Sequence, residues 1–223
     1  MTKKVLSRKG NMIITIFLLV ISIIYTVLVK TVDVKAIGPD NSEVGFSKLN
    51  ESFKNLVGYK ESIYKITELL GLVILLLVAF YGINGLIQLI KNKSLKKVDR
   101  ELIVLGVFYA VVLLTYVFFE KVVINYRPFI IDGSKEASYP SSHTMLALCV
   151  GISSLMISKK YMNRKYLKIF NIATIVIMSL VFIGRTISGV HWISDIIGGV
   201  LISMTLIMCF KTVLHWNRKT NSI

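Results

Sequence analysis

The chain has 223 residues, 54% of them hydrophobic and only 17% charged, with a mean hydropathy of +0.69. Soluble domains sit near about 45–50% apolar, so this balance excludes an ordinary soluble domain and points to an all-α, membrane-embedded protein. The net charge of +15 would suggest nucleic acid if it clustered on one soluble face, but the charges fall between apolar runs, which excludes that partner.

A bilayer core takes about 20 apolar residues per helix. Six stretches approach this length: Met12 to Val29, Ile66 to Ile90, Leu102 to Phe119, His143 to Ser158, Ile169 to Gly184, and Ile193 to Leu214. They predict six transmembrane helices within a single membrane-embedded domain covering residues 1–223. The first run follows Lys3, Lys4, Arg8 and Lys9, as a signal peptide would. Its apolar core exceeds the usual span of about 7–15 residues and no small-residue cleavage site follows, so it is expected to be a retained helix.

The connections differ sharply in charge. The N-terminus carries Lys3, Lys4, Arg8 and Lys9. The second connection carries Lys91, Lys93, Lys96, Lys97 and Arg100, and the fourth carries Lys159, Lys160, Arg164, Lys165 and Lys168. Lys211, Arg218 and Lys219 close the chain. These seventeen basic residues meet only Asp99 and Glu101, whereas the rest of the chain is balanced. Lysine and arginine bias marks the cytoplasmic side, so both termini are expected to be cytoplasmic. The remaining connections are outer. In the long one, residues 32–62, Leu49, Phe53, Leu56 and Val57 fall at helical spacing. They predict a short amphipathic helix, either lying on the outer surface or packed on the bundle. Trp192 and Trp216 lie near either end of the sixth span and fit two interfacial anchors. Cys149 and Cys209 sit in apolar runs without metal-ligand spacing and read as packing residues.

Ionisable residues at membrane ends are functional candidates by default. Lys121, Arg127, Ser141, Ser142, His143, Arg185, His191 and Asp195 all fall at the outer ends of spans three to six. Arginine matches phosphate oxygens bidentately. Pro140-Ser141-Ser142-His143 opens the fourth helix, whose free N–H groups and dipole favour an anion, and Ser141 or Ser142 adds a hydroxyl or a cap. Two histidines permit one to attack phosphorus and the other to protonate the leaving oxygen. His191 and Asp195 stand four residues apart, which places them on one helix face. A carboxylate there would orient the imidazole. His215 stands on the cytoplasmic side without such partners and has no expected role.

Lys121 to Arg127-Pro128, then Pro140-Ser141-Ser142-His143, then Arg185, His191 and Asp195 resemble the three-part signature of the type 2 phosphatidic acid phosphatase family. That family is a membrane branch related in fold to vanadium haloperoxidases. The motifs span Lys121 to Gly199, and the first half of the chain matches only in helix count. The resemblance implies that His191 is the nucleophile forming a phosphohistidine, that Asp195 orients it, and that His143 is the acid. It also implies that Lys121, Arg127, Arg185, Ser141 and Ser142 hold the phosphate, with no metal and no cofactor. Three positions depart from the family pattern. Lys121 and Arg127 are separated by five residues rather than six, and Glu120 holds the usual lysine register. One residue of helix turns a side chain by about 100°, so either the loop absorbs the difference or Lys121 misses the phosphate. Ser142 stands where glycine is usual, and Gly184 where serine is usual.

The expected function is hydrolysis of a lipid phosphate on the extracytoplasmic side of a bacterial plasma membrane. Undecaprenyl pyrophosphate, phosphatidic acid and phosphatidylglycerol phosphate all fit as substrate. The alternatives are phosphoryl transfer between lipids, or a non-catalytic phospholipid binding or transport protein. Transporters tend to show internal repeats and helices broken near the midplane, and neither pattern is visible.

Overall fold

In a computed structural model, residues 8–131 and 133–215 are described. Among them the regular structure is helical, with only isolated β-bridges and no strand. The helices are α1 (Arg8–Thr31), α2 (Ser47–Val57), α3 (Glu61–Asn92), α4 (Arg100–Lys121), α5 (Ser142–Tyr161), α6 (Arg164–Ile187) and α7 (Ile193–Leu214). Lys3, Lys4, Trp216, Arg218 and Lys219 lie outside the described residues.

Among the described residues, five helices, α1, α3, α4, α6 and α7, are long and apolar enough to cross a membrane, against six expected. The exception is α5, and its polarity explains why. It carries Ser142, His143, Thr144, Ser153, Ser154 and Ser158, and its last turn holds Lys159 and Lys160. These hydroxyls are tolerated because α5 lies inside the bundle, packed against α3, α4, α6 and α7. Tyr109 Oη lies 3.2 Å from Ser153 Oγ, Tyr81 donates to the Ser154 carbonyl at 3.2 Å, and Ser158 donates to Asn171 at 2.9 Å. The outer helices instead turn Ile13, Phe17, Leu72, Leu76, Leu114 and Ile175 outward, as lipid-facing helices do.

The two ends of the bundle differ. At one end, Asp99 precedes α4, accepts from Gln88 of α3 at 2.9 Å, and pairs with Lys160 of α5 at 2.9 Å. Lys160 also reaches Glu101 at 2.8 Å, and the Gln88 hydrogen bond and this lysine hold the Asp99 carboxyl below the usual carboxylate range. Arg100 donates to the last carbonyls of α7 at Val213 and Leu214, where a cation meets the negative end of a helix. The lysine-rich connections gather at this end. The opposite end joins the start of α3, α5 and α7 to the close of α4 and α6, and it holds the polar constellation.

The predicted outer helix is present as α2, but its buried face is polar. Asn50 is fully buried and ties α2 to the start of α7, donating to Ser194 Oγ at 2.9 Å and accepting from the Ser194 N–H at 3.2 Å. Leu49 and Leu56 point outward, Leu56 with 82% of its surface exposed. Trp192 departs from expectation more clearly. It is buried, donates through Nε1 to the Tyr126 carbonyl at 2.7 Å, and lies under Lys54. It is a packing residue at the mouth of α7 rather than an interfacial anchor. Cys149 is buried as expected, whereas Cys209 faces outward.

Candidate active site

The loop from 122 to 141 folds back on itself and lays its polar residues over the helix ends. Tyr126 bridges to Ala137, Arg127 N–H donates to the Glu136 carbonyl at 3.0 Å, and Ser138 N–H donates to the Asn125 carbonyl at 2.9 Å. The loop then turns through a cis Tyr139–Pro140 bond into Ser141, whose N–H donates to the Asp195 carbonyl at 3.0 Å. Asn125, Arg127 and Ser138 are thereby set beside the start of α7, and Ser141 opens α5.

Asp195 is completely buried and accepts from four donors, the most distant being Ser194 Oγ at 3.5 Å. Asn125 Nδ2 donates at 2.9 Å, Ser138 Oγ at 2.5 Å, and the Trp192 N–H at 3.1 Å. The bond between Asp195 and Trp192 is the backward half of a capping box, because α7 starts at Ile193 and Asp195 is its third residue. His191 therefore precedes the helix instead of sharing a helical face with Asp195, and no direct hydrogen bond joins the two. Ser138 stands between them. Its single hydroxyl proton goes to Asp195, so its oxygen accepts from His191 Nδ1, 2.9 Å away. That tautomer leaves Nε2 with its lone pair free. Nε2 is buried and has no hydrogen-bond partner. Burial, with Arg127, Arg185 and His143 nearby, holds the His191 imidazole well below the ordinary histidine range, so the ring stays neutral.

Two arginines act electrostatically on this ring. Arg185, at 0% exposure, closes α6 and pairs with Glu68 of α3. Arg127 pairs with Glu136 at 3.0 Å. Both guanidinium groups flank the Tyr64 ring, at 4.9 and 5.9 Å. Nε and Nη1 of each arginine are buried without partners. His143, in the first turn of α5, lies 3.5 Å from the second Glu68 oxygen, and its Nδ1 is also unpartnered. Ser141 makes no side-chain cap, and its buried Oγ has no partner. Ser142 is half-buried at the first position of α5, where N–H groups lack intrahelical acceptors. Buried polar groups are normally paired, so this concentration of orphan polar groups describes a candidate cradle for an anion.

Lys121 is placed differently. It is exposed at the end of α4 and takes part in none of the described hydrogen bonds or ion pairs joining the other site residues. Among the described residues, no three His, Cys, Asp or Glu side chains converge in a way that could hold a metal ion.

Two glycines let α3 reach the site. A side chain on Gly184 would strike the Thr67 methyl, and a Cβ on Gly71 would stand 2.8 Å from the His143 ring. The absent serine side chain at position 184 thus goes with a close α3–α6 approach that carries Glu68, next to Thr67, up to Arg185. Gly184→Leu is expected to lower stability by about 1–3 kcal/mol through overpacking. Thermal unfolding in detergent would measure it.

Sequence reasoning missed Glu68, Ser138, Asn125, Asn50 and Tyr64. Each reaches the site across a long sequence separation, and no local spacing links it to its partners. A lone acidic residue within the second apolar run was the one available signal, and it marked Glu68.

Among known protein families, the PAP2 superfamily matches residues 101–219. No curated protein sequence matches significantly. One similar solved structure is that of a transmembrane PAP2-type phosphatidylglycerolphosphate phosphatase from Bacillus subtilis, with a TM-score of 0.62 and 18% identity. The alignment covers 92% of this chain and 98% of that one, a likeness of fold along nearly the whole length. Several apolar helices and this shared fold make the chain a multi-pass membrane protein, and the match across the segment that builds the site identifies it as a member of the PAP2 superfamily.

Proposed function

We propose that the protein is a membrane lipid phosphatase that works through a phosphohistidine on His191. The single observation carrying this reading is the buried, unpartnered Nε2 of His191, its tautomer set by Ser138 and Asp195, on a ring that feels two arginines with unpartnered donors. His191 Nε2 attacks phosphorus, and the bond from phosphorus to the leaving oxygen breaks. His143 protonates that oxygen. Arg127 and Arg185 hold the remaining oxygens, helped by Ser141 Oγ and the free N–H groups of Ser142 and His143 at the start of α5. Water, deprotonated by His143, then attacks phosphorus, breaks the P–N bond and frees phosphate. Asp195 stabilises the positive charge that develops on the His191 ring, and does so through Ser138. Lys121 could join only by folding back toward the site.

We further propose that α5 is the sixth crossing. Its 20 residues span about 30 Å, and it runs from the site end to the Asp99–Lys160 end, antiparallel to α4. With six crossings and the basic end cytoplasmic, both termini lie inside and the site opens on the extracytoplasmic face. This fits a bacterial plasma membrane enzyme acting on undecaprenyl pyrophosphate, phosphatidic acid or phosphatidylglycerol phosphate. The similar B. subtilis protein is a phosphatidylglycerolphosphate phosphatase, which favours the last of these as the first to assay. The test is phosphate release by purified protein across these three lipids. Release from at least one supports the reading, and silence on all three with lipid binding intact would favour a binding protein. Adding a lipid acceptor and following the phosphoryl group separates hydrolysis from transfer.

The Ser138 bridge has its own signature. Ser138→Ala is expected to lower kcat by about 10–100-fold, the cost of one charge-assisted hydrogen bond, with KM little changed. A raised KM with kcat unchanged would show that the serine serves binding instead.

A further inference from the structure

The Glu68 side chain has no place in the chemistry above, yet it touches two of its groups. One carboxylate oxygen pairs with Arg185 and the other lies 3.5 Å from His143 Nε2. These two residues stand 42 positions apart in the chain and on different helices. They are also the groups between which the proposed chemistry places a substrate, Arg185 on a phosphate oxygen and His143 on the leaving oxygen. We propose that Glu68 occupies the phosphate's place in the empty site and gives it up when phosphate binds. This rests on the phosphatase reading.

Charge explains why such an occupant is needed. Arg185 is fully buried, and a buried guanidinium without a counter-charge is strongly disfavoured. Among the described ion pairs, Glu68 is its counter-charge. Charge also explains why the occupant must leave. A phosphate between Arg185 and His143 would set two anions side by side, and like charges at such distances oppose each other strongly in a low-dielectric site. Glu68 is suited to leaving, because 41% of its side-chain surface is exposed and it hangs on a flexible stem. Phosphate is suited to replacing it. The carboxylate leaves Nε and Nη1 of both arginines and Ser141 Oγ without partners, and a tetrahedral anion has more oxygens to offer them. Binding is then an exchange of one anion for another. Glu68 keeps the cradle assembled when empty, weakens retention of the product phosphate, and hastens its release.

The test uses inorganic phosphate and the full-length protein carrying His191→Ala, so that no turnover interferes. Glu68→Gln in that background is expected to bind phosphate about tenfold more tightly, on the scale of one charge-assisted hydrogen bond no longer contested. It should also melt lower than its parent without phosphate and gain more from added phosphate, a crossing that a simple loss of packing would not produce. Glu68→Asp keeps the charge and should keep the weaker binding. Unchanged or weaker phosphate binding in Glu68→Gln overturns the exchange, as does an equal gain in Glu68→Asp, which would mean that space rather than charge was released. If the protein with His191 intact releases phosphate from lipid while these results fail, the exchange alone is lost and the phosphatase stands. If phosphate binds none of the variants and the intact protein is also silent on lipid, the phosphatase reading falls with it.

Discussion

His191→Ala is expected to abolish phosphate release, by on the order of ten-thousandfold or more, because it removes the group proposed to attack phosphorus. Binding of phosphate or of the lipid should persist, since Arg127, Arg185 and the α5 N-terminus remain. The fold should survive as well, because Asp195 is held by Asn125 and the Trp192 N–H independently of the imidazole. The state of His191 adds a pH expectation. Its ring is held neutral by burial and by the neighbouring Arg127, Arg185 and His143, so it stays unprotonated through the ordinary histidine range as pH falls. Loss of the nucleophile to protonation therefore sets in only well below about pH 6.5, and rapid-quench measurement of the covalent intermediate would follow it. The same depressed value bears on stability. An unfolded histidine takes up a proton near about pH 6.5 whereas the folded one does not, so this group's contribution is present above that pH and is lost as pH falls below it.

His143→Ala has the second largest expected effect, a loss of about 100- to 10,000-fold in kcat, the range of a general acid. Its diagnostic feature is dependence on the leaving group. A lipid alcohol leaves only with a proton, whereas nitrophenolate leaves without one. Nitrophenyl phosphate should therefore lose much less, and steady-state assays on both substrates give the comparison. Equal losses would place His143 in phosphate binding and outside proton transfer. Gly71 bears on this residue too, because it provides the space into which the His143 ring fits.

The two histidines, Asp195 and Arg185 were legible because each sits in a short motif whose spacing survives in the chain, and Arg127 was legible through its Arg-Pro pair although its motif is one residue short. What those motifs could not convey is how the groups connect. His191 and Asp195, four apart, read as one helical face, but the helix begins between them at Ile193 and a serine 53 positions upstream joins them. Glu68 and Tyr64 come from a helix with no motif, brought in by the close approach at Gly71 and Gly184. The spans were legible wherever apolarity was continuous. They were least distinct at α5, whose serines and charges lower its hydropathy where neighbouring helices pack around it. Trp192 was misread for a related reason. An aromatic at the end of an apolar run fits an interfacial anchor equally well until its burial and its bond to Tyr126 are known.

The proposed mechanism passes through a covalent bond between phosphorus and His191. Rapid acid-free quenching of the protein with a radiolabelled lipid phosphate, followed by peptide mapping, tests it directly. The expected label is stable to alkali and labile to acid, located on the peptide carrying His191 and absent from His191→Ala. A protein that releases phosphate yet never carries the label, or carries it on another residue, would contradict this mechanism.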